Sequence, residues 1–285
     1  MPNIITARGL QKSYGKSVAL KSLDFAVESG RILGVIGPNG SGKTTLLKAI
    51  LGMTPYLGEL SVLGFDPTTQ RDALMEEVCF VADVAVLPRW LSVSQAVDFV
   101  EGIHPRFNRE KAEHYLAATK LQAGMKVKEM SKGMLAQLHL SLVMAIDAKL
   151  LILDEPTLGL DIMYRKLFYL HLMEDYFDHE KTIIIATHQV EEIENILSDV
   201  MFVREGEIIL QESMEVLQQR FTTIAVRADR VAQAQALQPI AQRKLFDRQV
   251  MLFDGVQAEA IEELGEFQTT SLSEVFVQMM KGSYQ

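Results

Sequence analysis

The run Gly37-Pro38-Asn39-Gly40-Ser41-Gly42-Lys43-Thr44 combines the residue types that a chain of phosphates requires. Glycines let the backbone wrap closely, so that its amides and those opening a following helix point at anionic oxygens. A lysine at this position bridges the β and γ phosphates, and the Thr44 hydroxyl beside it supplies an oxygen for Mg2+. Spacing and order match the Walker A pattern in full. The run follows a strand-like segment and precedes an apolar helix beginning Thr44-Thr45, which is the strand, loop and helix order that the mechanism demands.

Further along, Leu150-Leu151-Ile152-Leu153-Asp154-Glu155 reads as a buried apolar strand ending in two acids, the Walker B arrangement. Asp154 is placed to hold Mg2+ through its water shell. Glu155 is the candidate general base that polarises an attacking water, a role worth roughly 10²- to 10⁴-fold in rate. Adjacent carboxylates at a strand end also occur as helix caps or surface acids, and it is the phosphate loop upstream that favours the chemical reading.

These groups need a scaffold. The expected fold class is α/β: a P-loop NTPase core with a largely parallel sheet, an antiparallel β-subdomain near residues 4–35, an inserted helical subdomain at about 84–147, and a small α+β appendage. Strands are expected at 150–154, 182–187 and 199–203, and a hairpin at 204–210. The final helix opens at Ser271 with Glu274 three positions on, a capping-box spacing, and places Leu272, Val275, Phe276 and Met279 on one face. At 285 residues and 48% hydrophobic content the chain can bury a large core. Its net charge of −9, with no long run of Lys and Arg, weighs against nucleic-acid binding. Cys79 stands alone, the first residues lack the pattern of a signal peptide, and no apolar run reaches the roughly 18–20 residues of a membrane span. The cytoplasm is the expected location, and a membrane role would need a partner chain.

Walker motifs are shared by many families. Met130-Ser131-Lys132-Gly133-Met134 resembles the signature motif of the ATP-binding cassette (ABC) family, and the resemblance runs over residues 4–212. Lys132 and Met134 depart from the commonest form but are similar to the bacterial type-2 exporter branch. Taken alone, the segment reads better as a capped helix start that binds nothing. Asp161 stands where the family's D-loop aspartate lies, His188 where its switch histidine contacts the γ-phosphate, and Tyr14 where an aromatic stacks on adenine. The resemblance implies ATP and Mg2+ as ligands, hydrolysis to ADP and phosphate, and a head-to-tail dimer, a homodimer being expected. Ser131 and Gly133 of one chain would meet the γ-phosphate held by Lys43 of the other. It also implies permease partners at the cytoplasmic face of a membrane, with residues 1–211 as the ATPase domain and 212–285 as an accessory domain. The alternative is a soluble ABC ATPase remodelling a ribosomal or nucleic-acid complex.

One departure stands out. The family's usual glutamine after the first subdomain is replaced by Asp83, expected to reach Mg2+ directly or through water, and the next glutamine, Gln95, falls in a helix. Trp90 just beyond is either core packing for the helical subdomain or an exposed anchor for a helix of the membrane partner. His104, His114, His139, His171 and His179 have no ligand-like spacing and are assigned no metal.

Overall fold

A computed structural model describes residues 2–82, 87–178, 180–246 and 248–281, with the side chains of 258 and 259 set aside. It divides into two units, Met1–His188 with Val203–Ile208, and Gln189–Phe202 with Ile209–Gln285.

The first unit opens with β1 (Asn3–Tyr14), β2 (Ser17–Glu28), β3 (Ile32–Ile36), α1 (Lys43–Ile50) and β4 (Leu57–Val62). β1 lies between β2 and β4 in an antiparallel sheet. Along β2, Leu23, Phe25 and Val27 are buried while Asp24 and Ala26 between them are exposed, the period-2 signature of a sheet with one wet face.

After α2 (Arg71–Met75) come β5 (Val78–Val81), β6 (Leu150–Asp154) and β7 (Thr182–Thr187). With β3 they stand in the order β5-β6-β7-β3, each neighbouring pair parallel. Every residue of β3, β6 and β7 is buried, which is why these strands read as continuous apolar runs without alternation. Their register decides the site. Ile36 pairs with Thr187 and Asp154 with Ala186, so the glycine-rich loop, the two acids and His188 all leave the sheet at one edge.

Between β5 and β6 lie α3 (Val93–Ile103), α4 (Arg109–Ala117) and α5 (Lys132–Met144), packed around Leu91, Val97, Leu116, Leu138 and Leu142. Ser92 caps α3, and Gln95 returns the capping-box bond to the Ser92 amide at 3.0 Å, so Gln95 has a local structural task. α6 (Ile162–His171) follows β6.

The second unit carries α7 (Val190–Ile193), most of β8 (Asp199–Arg204) and β9 (Glu207–Ser213), and α8 (Met214–Arg220). β10 (Phe221–Val226), β11 (Ala241–Leu245), β12 (Arg248–Asp254) and β13 (Gly265–Gln268) form an antiparallel sheet in the order β11-β12-β10-β13. With α9 (Val231–Ala236) and α10 (Ala258–Ile261), its inner face closes around Ile224, Val226, Ala234, Met251, Phe253 and Ile261. α11 (Leu272–Met280) buries Leu272 and Val275 and sets Phe276 edge-on to Phe202 at 5.3 Å. Its expected capping box does not form. Ser271 caps the Ser273 amide, while Glu274 is drawn away to Arg243 of β11 at 2.8 Å. No helix among the described residues is long and apolar enough to cross a membrane.

Candidate functional site

β3 delivers the chain into the loop 37–42, and α1 begins at Lys43. Gly42 caps that helix at φ 111°, a left-handed conformation that side chains resist. The loop is braced from outside. The turn between β8 and β9 places the Gly206 amide on the Ser41 carbonyl at 2.9 Å, and the Gly206 carbonyl accepts from the Lys21 amide at 2.8 Å. Gly206 has φ 77°, and a Cβ there would lie 2.6 Å from the Ala19 carbonyl. The hairpin is legible in the sequence, but its role as a brace is not, because it arises only when the chain folds back on the loop.

Lys43 is 6% exposed, and its ammonium donates to the carbonyls of Gly37 at 2.7 Å and Pro38 at 3.3 Å. Burial lowers its pKa, opposed by the nearby charges of Glu155 and Asp154. The Thr44 hydroxyl donates to the Asp154 carboxylate at 2.9 Å. Asn39, Gly40, Gly42, Lys43, Thr44, Thr45, Asp154 and Glu155 line one cleft. The Thr44 hydroxyl and the Asp154 carboxylate suit Mg2+, a hard cation that takes one or two protein oxygens and completes its shell with phosphate and water. No group of three His, Cys, Asp or Glu side chains among the described residues could hold a metal.

Glu155 turns the chain out of β6 at φ 48°, with its amide donating to the Ala186 carbonyl at 2.9 Å. Its carboxylate is held from the end of β7. Oε1 accepts from the His188 amide at 3.1 Å and lies 2.8 Å from His188 Nδ1, and Oε2 accepts from the Thr187 hydroxyl at 2.9 Å. Thr187 was not among the residues expected from sequence. The register of β6 on β7 is the only signal that could have found it.

Tyr14 is half-exposed at the end of β1, with the Lys12 ammonium 4.7 Å from its ring centroid. Hydrogen bonding to Thr54 lowers the phenol pKa, with smaller contributions from Thr45, Lys12 and Lys48, against the opposing effect of burial.

Ser131, Gly133 and Asp161 make a second group. Ser131 caps α5, accepting from the Met134 amide at 3.2 Å. Asp161 caps α6, accepting from the Met163 and Tyr164 amides, both at 3.0 Å. A Cβ on Gly133 would lie 3.3 Å from the Gly159 carbonyl, so the start of α5 sits against the loop that leads from Glu155 to Asp161. Asp83 lies outside the described residues. Trp90 is 66% exposed, and Leu91 takes the place in the helical core instead; Phe99 and Ile103 of α3 are exposed as well.

The profile of the ABC transporter family matches residues 20–158. An ABC transporter ATP-binding protein of Bacillus subtilis is 31% identical over 74% of this chain and 70% of its own length. The Nod factor export ATP-binding protein I of Rhizobium johnstonii is 32% identical over 74% of this chain and 69% of its own length. Among solved structures, an ATP-binding subunit of an ABC transporter superposes with a TM-score of 0.68 at 20% identity, covering 75% of this chain and 92% of that one. A dimeric ATP-binding cassette with ADP and Pi gives 0.64 at 21%, covering 74% and 98%. With the phosphate loop, the paired acids and the histidine converging at one sheet edge, the chain belongs to the ABC transporter family, as one of its nucleotide-binding ATPase subunits.

Proposed function

We propose that two copies of this chain power an exporter whose pathway is formed by separate membrane permease chains, at the cytoplasmic face of a cell membrane. Residues 1–211 act as the ATPase domain and 212–285 as an accessory domain. The Nod factor export relatives support the direction of transport.

The observation that carries the reading is the division of the site residues into two groups. Lys43, Thr44, Asp154 and Glu155 line one cleft, with His188 held against Glu155, while Ser131 and Gly133 open a different helix. A head-to-tail dimer brings the two together, with ATP in each seam. Tyr14 stacks on the base, and the loop amides of 37–42 with Lys43 bind the phosphates. Ser131 and Gly133 of the facing chain add a hydroxyl and a helix N-terminus to the γ-phosphate, and Asp161 lies at the seam. Glu155 takes the proton of the attacking water, and His188 orients Glu155 and the γ-phosphate. Thr44 and Asp154, with Asp83 directly or through water, would hold Mg2+, which when bound would neutralise charge on the phosphates. Binding closes the dimer and hydrolysis opens it, a ligand-driven shift between two states. Exposed Trp90, Phe99 and Ile103 suit an amphipathic helix of the permease.

Affinity purification from detergent-solubilised membranes tests this reading. An integral membrane protein is the expected companion, lost in Trp90→Glu. Recovery of ribosomes or DNA in its place overturns the reading.

A further inference from the structure

We propose that Thr187 is a positioning residue for hydrolysis, fixing the plane of the Glu155 carboxylate so that its remaining lone pairs face the cleft. The inference rests on the assignment of Glu155 as general base.

Glu155 stands at φ 48°, where the chain turns out of β6, so its carboxylate is placed by what holds it from β7. Two contacts from His188 converge on Oε1. Bonds to one oxygen leave the carboxylate free to swing about that atom. The Thr187 hydroxyl, donating to Oε2 at 2.9 Å, removes this freedom. Thr187 is 3% exposed and is the last residue of β7, so its own position is set by the sheet. Held in this way, Glu155 lines the same cleft as Lys43, Thr44 and Asp154. A base gains rate only when its geometry is settled before the transition state, and a support on a rigid strand achieves that.

ATP turnover in Thr187→Val, Thr187→Ser and Glu155→Gln, singly and combined, provides the test. Thr187→Val is expected to lower kcat at least about tenfold with KM for ATP changed less than about twofold, since a hydrogen bond to a charged group is lost and no nucleotide contact is. Thr187→Ser recovers most of the turnover. Glu155→Gln/Thr187→Val is expected to be no slower than Glu155→Gln alone, because the threonine acts through the glutamate. A wild-type kcat in Thr187→Val, a serine variant as slow as the valine one, or additive losses in the double variant would each overturn the inference. If Thr187→Val does not fold, Thr187→Ser against Thr187→Ala gives the same contrast with the methyl removed from both. A slow Glu155→Gln with a normal Thr187→Val sinks only this inference. A normal Glu155→Gln sinks the general-base assignment as well.

Discussion

The Thr44 hydroxyl donates to the Asp154 carboxylate at 2.9 Å across 110 positions of sequence, joining the first residues of α1 to the last residue of β6. A hydroxyl and a carboxylate fixed against each other form a ready pair of oxygen ligands. Thr44→Val removes one of them, and the Mg2+ concentration for half-maximal turnover should rise at least about tenfold. Thr44→Ser keeps the oxygen and should stay near wild type. Titrating Mg2+ against phosphate release measures both.

Glu155 is the proposed base, and its amide replacement keeps the shape while losing the acceptor for a proton. Hydrolysis in Glu155→Gln should slow at least about a hundredfold. Binding survives, so an ATP-dependent dimer should accumulate on size-exclusion chromatography. Normal phosphate release would show that another group removes the proton.

Ser131 caps α5 within its own chain and is also the proposed contact to the γ-phosphate of the facing chain. Aspartate separates the two roles. It caps a helix about as well as serine, whereas alanine costs about 0.5–2 kcal/mol. A carboxylate about 6 Å from a phosphate charge costs roughly 3 kcal/mol at an effective dielectric of about 20. Ser131→Asp should therefore melt like wild type while hydrolysis falls about a hundredfold; equal activity would leave Ser131 as a cap alone.

Gly206 braces the phosphate loop through the Ser41 carbonyl. Alanine there faces both a left-handed φ and the Ala19 carbonyl. Gly206→Ala should lose at least about 1 kcal/mol of stability and weaken ATP binding, although no ligand contact is removed. Urea denaturation and nucleotide titration read the two effects separately.

His139 sits partly buried on α5, where desolvation lowers its pKa from 6.5 to about 4. Between those values the unfolded chain binds more protons than the folded one, so this residue's contribution falls as pH drops from about 6.5 to about 4 and is fully lost below. His139→Leu should narrow the gap between urea midpoints measured at pH 7 and pH 5.

Contiguous chemistry was the most legible part of the sequence. The loop from Gly37 to Thr44 and the pair Asp154-Glu155 each announce themselves within a few residues, and continuous apolar runs marked β3, β6 and β7 as enclosed parallel strands. What stayed hidden depends on register and on folding back. Thr187 reaches Glu155 because Asp154 pairs with Ala186, a relation between strands that no local pattern encodes. Gly206 looks like an ordinary turn glycine until the hairpin meets Ser41. At α11 the spacing of Ser271 and Glu274 was sound, yet Arg243 from a distant strand competed for the glutamate and won. Trp90 could be read either way because a bulky aromatic suits a core and an exposed anchor alike, and only its 66% exposure separates them.

The link from Thr44 to Asp154 also bears on how such a chain can diversify. Among the described residues between them, the helical cluster α3–α5 with its exposed α3 face is an excursion carried between the neighbouring strands β5 and β6, outside the cleft where Thr44 and Asp154 are fastened together. Mutations within the excursion can remodel what the outer surface meets while the fastening holds. Such an arrangement lets one hydrolytic engine be fitted to new neighbours in small steps, without redesign of the engine itself.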